Sequence, residues 1–222
     1  MRLDIPLERV LLLGGSGLLG QALRRIFAQA GVEVIAPASA QCDIRDLSSL
    51  RQQTREAAPD LIINSAAQSS VDRAEEDPDQ AFAVNTLGAH NAAMAAADAD
   101  LPLLHLSSDY VFDGNSREPY TEYHPTGVPP NQYGRFKLHA ELLVREAWSQ
   151  HFIVRVAALF GLGRKNFVSW VLDQADASNP LAIVHDRFAT PTWTDDLARQ
   201  LLTLVRTPYY GTYHATGLGV TN

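Results

Sequence analysis

At 222 residues the chain has room for one α/β domain with a full core, or for such a domain and a small lobe. Its formal charge of −7 and pI near 5.4 argue against a general nucleic-acid binder, which needs a basic stripe, but allow an anionic nucleotide held by local backbone. The lone cysteine, Cys42, excludes an intramolecular disulfide and fits a reducing cytoplasm; Asp4, Pro6 and Glu8 interrupt any leader-like start, and no run approaches the ~18 apolar residues of a membrane span.

Taken in order, the chain alternates short apolar runs with helical patterns. The first run, Val10-Leu11-Leu12-Leu13, enters Gly14-Gly15-Ser16-Gly17-Leu18-Leu19-Gly20 and then a helix over 18–30. Strand, glycine turn and helix in this sequence suit a pyrophosphate. Glycines allow the tight turn and close backbone approach, and the helix start offers free N–H groups. The spacing Gly-x-x-Gly-x-x-Gly is one residue wider at its first step than the commonest dinucleotide fingerprint, and a purely structural turn is the competing reading. A strand at 32–36 follows, then a helix over 46–57 for which Asp46 is the better cap.

The strand at 60–64 ends in Ser65-Ala66-Ala67, small side chains that let a ribose or nicotinamide pass close or that serve helix packing. Asp77-Pro78 supplies a cap and a first-turn proline to an Ala-rich helix over 78–98. That helix carries Asn85, for which a structural and a proton-relay role are both open. The strand at 101–107 runs into Ser107 and Ser108, and the Pro/Gly/Asn/Tyr-rich segment from Asp109 to Pro130 is expected to fold over a site mouth. Then come a helix over 130–148, a strand at 151–157, a helix over 165–176, a strand at 181–185, a helix over 194–206, for whose start Asp195 and Asp196 are favourable, and a strand at 211–215. The alternation predicts a doubly wound parallel α/β sheet covered on both faces. The seven histidines are scattered, without His-x-x-x-His or cysteine pairing, so no metal site is expected.

Only two of the 18 cationic side chains are lysines, and one, Lys137, stands four residues after Tyr133. On a helix the two share a face. An ammonium there favours the phenolate and lowers a pKa that is ordinarily about 10. Upstream, Ser108 sits where a buried strand opens onto a cleft. A hydroxyl that polarises a carbonyl oxygen, beside a phenol that protonates it, is the equipment of carbonyl reduction. Ser107 and Ser108 capping the local backbone is the plain alternative.

Gly14-x-x-Gly17-x-x-Gly20, Ser108 and Tyr133-x-x-x-Lys137 together resemble an extended short-chain dehydrogenase/reductase. Longer stretches narrow the resemblance to the dTDP-4-dehydrorhamnose reductase family: Asn64-Ser65-Ala66-Ala67, Val71-Asp72-Arg73-Ala74-Glu75, Ser108-Asp109-Tyr110-Val111-Phe112-Asp113-Gly114, Tyr133-Gly134-Arg135-Phe136-Lys137-Leu138, Thr190-Pro191-Thr192 and Tyr213-His214-Ala215-Thr216-Gly217. The resemblance implies a Rossmann fold and reduction of the C4 carbonyl of a nucleotide-linked 4-keto-6-deoxy sugar by NADP(H), with NAD(H) as the alternative cofactor. It implies Ser108, Tyr133 and Lys137 as catalytic residues, and Asp109 and Tyr110, with Ser108, as substrate contacts. The cofactor would lie on Gly14, Ser16, Gly17, Leu18, Leu19, Gly20, Asp43, Ile44, Ser65, Ala66, Ala67, Tyr133 and Lys137. Asp43 takes the place of an acidic residue that contacts the adenine side, against a competing role in capping. The implied partners are a nucleotide sugar and, in a homodimer, a second copy, with no nucleic-acid polymer and no membrane; the setting is cytoplasmic.

Two further readings stay open: a non-catalytic NADP-binding subunit similar to the beta subunit of methionine adenosyltransferase, and a reductase or epimerase of another nucleotide sugar. Two departures stand out. Ala158 occupies the place of a frequent family tryptophan, so stacking on substrate is lost there. The chain stops at Val220-Thr221-Asn222 where family members continue, and Thr221 or Asn222 would suit a following helix as cap. The expectation is therefore a dinucleotide-binding domain at 1–157 and a mixed region at 158–222 that adds the last sheet elements and an incomplete substrate lobe, with apolar surface exposed near Phe160, Phe167 and Trp170.

Overall fold

The computed structural model describes residues 5–174, 186 and 188–221. Four strands, β1 (Arg9–Leu13), β3 (Leu61–Asn64), β4 (Leu103–Ser108) and β5 (His151–Val156), are near-continuous apolar runs and almost wholly buried, as central parallel strands between two helical layers must be. The edges are β2 (Glu33–Ile35) and β8 (Gly211–His214). The order is β2-β1-β3-β4-β5-β8, with every neighbouring pair parallel. The order reverses between β1 and β3, and in open α/β sheets a ligand lies beyond the carboxyl ends at such a switch point.

On one face, α1 (Leu18–Gln29) and α8 (Thr194–Leu204) bury Leu23, Phe27, Leu197 and Leu201 against Leu12, Leu104 and Val154. On the other, α2 (Leu47–Ala57), α5 (Gly88–Asp98) and α6 (Gln132–Ala147) cover Leu11, Ile62 and Ile153 with Leu50, a run of alanines and Val144. The small alanines of α5 let it lie close to the sheet. Helix starts follow their chemistry: Asp46 accepts from the Ser48 amide, Asp77 from that of Gln80 with Pro78 in the first turn, and Asn131 from that of Gly134. Arg25 of α1 pairs with Asp195 in the first turn of α8.

The helix expected over 78–98 is one continuous run, but α4 (Pro78–Phe82) joins α5 through a π-helical turn at Ala83–Leu87. Its extra residue sends Asn85 to the Gln68 backbone, both N–H and C=O, while the Thr86 hydroxyl donates to the Phe136 carbonyl. Asn85 thus holds the loop after β3, the structural one of its two open roles. Elements absent from the sequence reading are short: α3 (Val71–Glu76), a 3₁₀ turn at Asp109–Val111, and a two-residue parallel pair of β6 (Leu159–Phe160) with β7 (Thr192–Trp193). The helix expected over 165–176 is α7 (Phe167–Gln174) in its described part. The strand expected at 181–185, and Asn222, lie outside the described residues; Thr221 pairs antiparallel with Ala189. Among the described residues no helix is long and apolar enough to cross a membrane.

One buried carboxylate ties α6 to the sheet. Glu141, fully buried, accepts from Ser107 of β4 at 2.6 Å, from Arg155 of β5 at 2.9 and 2.8 Å, and from Arg145 one turn along at 2.7 Å. Burial alone would raise its pKa, yet Arg155, Ser107 and Arg145 together hold it below the ordinary carboxylate range. Both carboxylate oxygens are satisfied, the condition under which a buried ion pair is tolerated. Glu141→Ala leaves Arg155 buried without its anion and is expected to destabilise the fold by about 3–5 kcal/mol. The double variant Glu141→Met/Arg155→Met is expected to recover much of that loss, as read by urea unfolding. Because the folded pKa is depressed, this carboxylate's share of stability is complete above the unfolded value of about 4.3 and is lost as pH falls through the lower folded value. Parent and double variant should therefore differ in acid sensitivity.

Candidate active site

The turn after β1 is shaped by close contact. Gly14 has φ +84°, and a Cβ on it would lie 2.6 Å from the Ala66 amide nitrogen, so the glycine turn and the end of β3 touch at backbone level. A Cβ on Gly20 would lie 2.2 Å from the Gly14 carbonyl, which leaves glycine alone compatible with this approach of α1. Gly17, the N-cap, offers no side-chain cap, so the first-turn amides of α1, from Leu18 and Leu19 onward, are unclaimed by any capping side chain. Ser16 is exposed and Leu19 buried. Across the crevice the Ser65 hydroxyl donates to the Leu13 carbonyl at 2.8 Å, and Ala67 is exposed beside half-buried Ala66. The shape is a backbone cradle lined by small groups.

Asp43 and Ile44 occupy the loop before α2. The Asp43 carboxylate is held by Arg45, through the side chain at 2.6 Å and the amide at 2.9 Å, which keeps its pKa below the ordinary range. Ile44 is buried against Gly88, where a Cβ would meet its Cδ1 at 2.6 Å, and its carbonyl accepts from Asn91. Capping of α2 belongs to Asp46, not Asp43.

Ser108, Tyr133 and Lys137 come together at the carboxyl end of β4. The Tyr133 phenol and the Ser108 hydroxyl are hydrogen-bonded, and Ser108 also donates to Asp109 at 2.9 Å and accepts from the Tyr110 amide at 3.2 Å, so it also serves as a local cap. The Tyr110 ring stands edge-on to Tyr133 at 5.4 Å. Tyr133 is 9% and Lys137 2% exposed. The expected depression of the Tyr133 pKa by Lys137 is not what this geometry produces. Burial pushes the phenol up to about 12, Ser108 offsets this only in part, and Asp109 and Tyr110 add to the rise. Lys137 does not act on it, because its ammonium donates instead to the Leu106 carbonyl. Burial brings Lys137 down to about 8, against the opposing charge of Glu141. The phenol is therefore an acid that holds its proton throughout the neutral range.

A cleft of roughly 1270 Å³ opens beside this trio, lined by Asp109, Tyr110, Phe112, Tyr120, Arg155 and His214. The irregular segment after β4 does fold over the mouth. Phe112 stacks on Tyr120 at 4.1 Å and lies under the Arg155 guanidinium at 5.0 Å. Arg155 reaches His214 Nε2 at 3.4 Å, so the Glu141 network extends to the cleft wall. Neither Arg155 nor His214 belongs to a catalytic motif in the sequence; the one signal for Arg155 is an arginine within an apolar strand. The same holds for His105. It is buried mid-strand with Nδ1 3.3 Å from Asn64, its Nε2 has no partner among the described residues, and burial followed by Lys137 pushes its pKa well down.

Ala158 has φ +42°, a left-handed backbone that a residue with a Cβ adopts at a cost, and is exposed. Phe167 and Trp170 are 62% and 41% exposed and stacked at 5.9 Å, whereas Phe160, expected among them, is half-buried against Trp193 at 5.3 Å. Among the described residues no group of three or more His, Cys, Asp or Glu side chains converges as a metal site would require.

The chain is matched over residues 8–222 by the family described as the RmlD substrate binding domain. It is 38% identical to a dTDP-4-dehydrorhamnose reductase of Streptomyces griseus, across 97% of this chain and 73% of that protein. It is 36% identical to a dTDP-4-keto-6-deoxy-D-glucose reductase of Streptomyces niveus, across 96% and 74%. The crystal structure of the dTDP-4-dehydrorhamnose reductase of Bacillus anthracis in complex with NADP superposes with a TM-score of 0.93 at 33% identity, across 98% of this chain and 78% of that one. With glycine cradle, hydroxyl, phenol and ammonium assembled on this sheet, and with such relatives, the chain belongs to the dTDP-4-dehydrorhamnose reductase family.

Proposed function

We infer that this protein reduces the C4 carbonyl of a nucleotide-linked 4-keto-6-deoxy sugar, converting dTDP-4-dehydro-L-rhamnose to dTDP-L-rhamnose with NADPH. The observation that carries the reading is the buried phenol of Tyr133, hydrogen-bonded to Ser108 at the end of β4, next to a cleft large enough for a sugar nucleotide. The reduced nicotinamide, when bound, supplies the hydride.

The cradle fits a dinucleotide, since a side chain on Gly14 or Gly20 would clash with the backbone that shapes it and the α1 amides are uncapped. Gly14, Ser16, Gly17, Leu18, Leu19 and Gly20 would hold the pyrophosphate. Asp43 and Ile44 would border the adenine, Ser65, Ala66 and Ala67 the path towards the nicotinamide, and Tyr133 and Lys137 its ribose. Ser108, turning its one hydroxyl proton from Asp109, would donate to the keto oxygen and orient it. Tyr133 gives its proton to that oxygen as negative charge develops there, and its high pKa suits this direction because no phenolate is needed. Lys137, anchored on the Leu106 carbonyl and with its charge favoured by Glu141, would present its ammonium to the nicotinamide ribose. Asp109 and Tyr110 contact the sugar from the cleft wall. We further propose that residues 1–157 form the dinucleotide-binding unit, and that 158–222 supply α8 and β8 to the sheet and part of the substrate wall. The partner is a nucleotide sugar, the assembly to test is a homodimer, and the setting is cytoplasmic, without nucleic-acid polymer or membrane.

Tyr133→Phe removes the acid with little change in volume. It is expected to lower the rate of NADPH oxidation with the keto sugar by at least about 10²-fold while cofactor affinity stays within a few-fold. A variant that keeps a tenth or more of the parent rate rules out Tyr133 as the acid.

The Lys137 value of about 8 predicts a second effect. Above it the ammonium is lost, so kcat/KM for the sugar nucleotide should decline as pH rises through about 8, and a profile that stays flat well beyond that pH contradicts the role given to Lys137.

A further inference from the structure

At the carboxyl end of β2 the glycine turn, the strand end and helix α1 meet. A Cβ on Gly15 would lie 2.7 Å from Ala36 Cβ and 3.5 Å from Arg24 Cδ. Arg24 thus sends its stem along the turn, in keeping with the tendency of long helical side chains to lean back over the preceding turn. Its neighbour Arg25 is engaged by Asp195 at 2.5 Å. Arg24 is exposed, enters no such pair among the described residues, and lines a shallow cleft with Gln21, Ala28 and Val34.

The strand end itself reads Val34-Ile35-Ala36-Pro37-Ala38-Ser39 and carries neither the acid that would accept from an adenosine 2′-hydroxyl nor a cation. In dinucleotide folds this is where the adenosine ribose lies, and an arginine nearby accommodates a 2′-phosphate. A guanidinium fork matches that group in charge and geometry.

We propose that Arg24 is the specificity-determining residue for the cofactor, binding the adenosine 2′-phosphate from helix α1 in place of a charged residue on β2. The proposal rests on the reductase reading above and names the residue through which that site prefers the phosphorylated dinucleotide. The tight packing of Gly15 on Ala36 brings the Arg24 stem to the strand end, the acid-free strand end removes the repulsion, and Arg24 supplies the attraction.

Calorimetric titration of the 222-residue protein with NADPH, NADH, 2′,5′-ADP and 5′-ADP, for the parent, Arg24→Ala and Arg24→Glu, tests it. The parent should bind NADPH more tightly than NADH. Arg24→Ala should weaken NADPH and 2′,5′-ADP about tenfold or more, the range of hydrogen bonds to a charged group, and leave NADH and 5′-ADP within about twofold. Arg24→Glu should reverse the preference. If Arg24→Ala binds NADPH as the parent does, or loses NADPH and NADH alike, the assignment is wrong while the reductase reading stands. If the parent binds neither dinucleotide, the cofactor reading itself fails and Arg24 with it.

Discussion

Helix α6 presents Tyr133 and Lys137 to the end of β4 because Glu141, on the same face two turns from Tyr133, is clamped to both strands beneath it. Ser107 belongs to β4 and Arg155 to β5, so a single carboxylate sets where the helix lies along the sheet as well as its distance from it. Removing two charges from water is costly, and the cost is offset only when the lone pairs are all engaged. That requirement allows few geometries. Sliding α6 by one turn would leave Arg155 without an anion, which makes the placement of the phenol a consequence of buried electrostatics.

The same low-dielectric layer determines the chemistry of the trio. A buried phenol resists ionisation and a buried ammonium loses its proton more readily, so the two groups shift in opposite directions, Tyr133 to about 12 and Lys137 to about 8. Glu141 pulls the lysine partly back towards its ordinary value. An acid that keeps its proton, beside a cation that holds its charge at neutral pH, is suited to reduction more than to the reverse reaction. His105, neutral in this layer, avoids a second positive charge near Lys137.

At the switch point the constraint is steric. Gly14 against Ala66 and Gly20 against Gly14 are in backbone contact, and Gly15 lies against the Ala36 methyl, so that polar N–H groups rather than bulky side chains face the crevice. Asn85, through its π-helical turn, holds the loop after β3 that borders the same crevice. Binding at such a place depends on what the backbone offers, which is why an acidic protein can hold an anion there.

Much of this was legible in the residues. Short apolar runs bounded by turn residues suit buried strands, and their alternation with amphipathic helices leaves a parallel doubly wound sheet as the arrangement that covers both faces. Glycines at 14, 17 and 20, a serine at a strand end and a Tyr-x-x-x-Lys pair carry local chemistry, so their elements and mutual order followed from sequence. The short pieces did not: α3 and the pair β6 with β7 are below the length at which a period can be read, and they form because neighbours hold them. Nor did sequence reveal that Lys137 turns to the Leu106 carbonyl, that Arg155 reaches through Glu141 to the cleft wall, or that Arg24 lies against Gly15. Each of these joins residues far apart in the chain or depends on burial. The sequence by itself determined which groups exist and on which elements they ride; the tertiary structure decided which of them meet, and in how dry a setting, because distance and dielectric are properties of the packed chain alone.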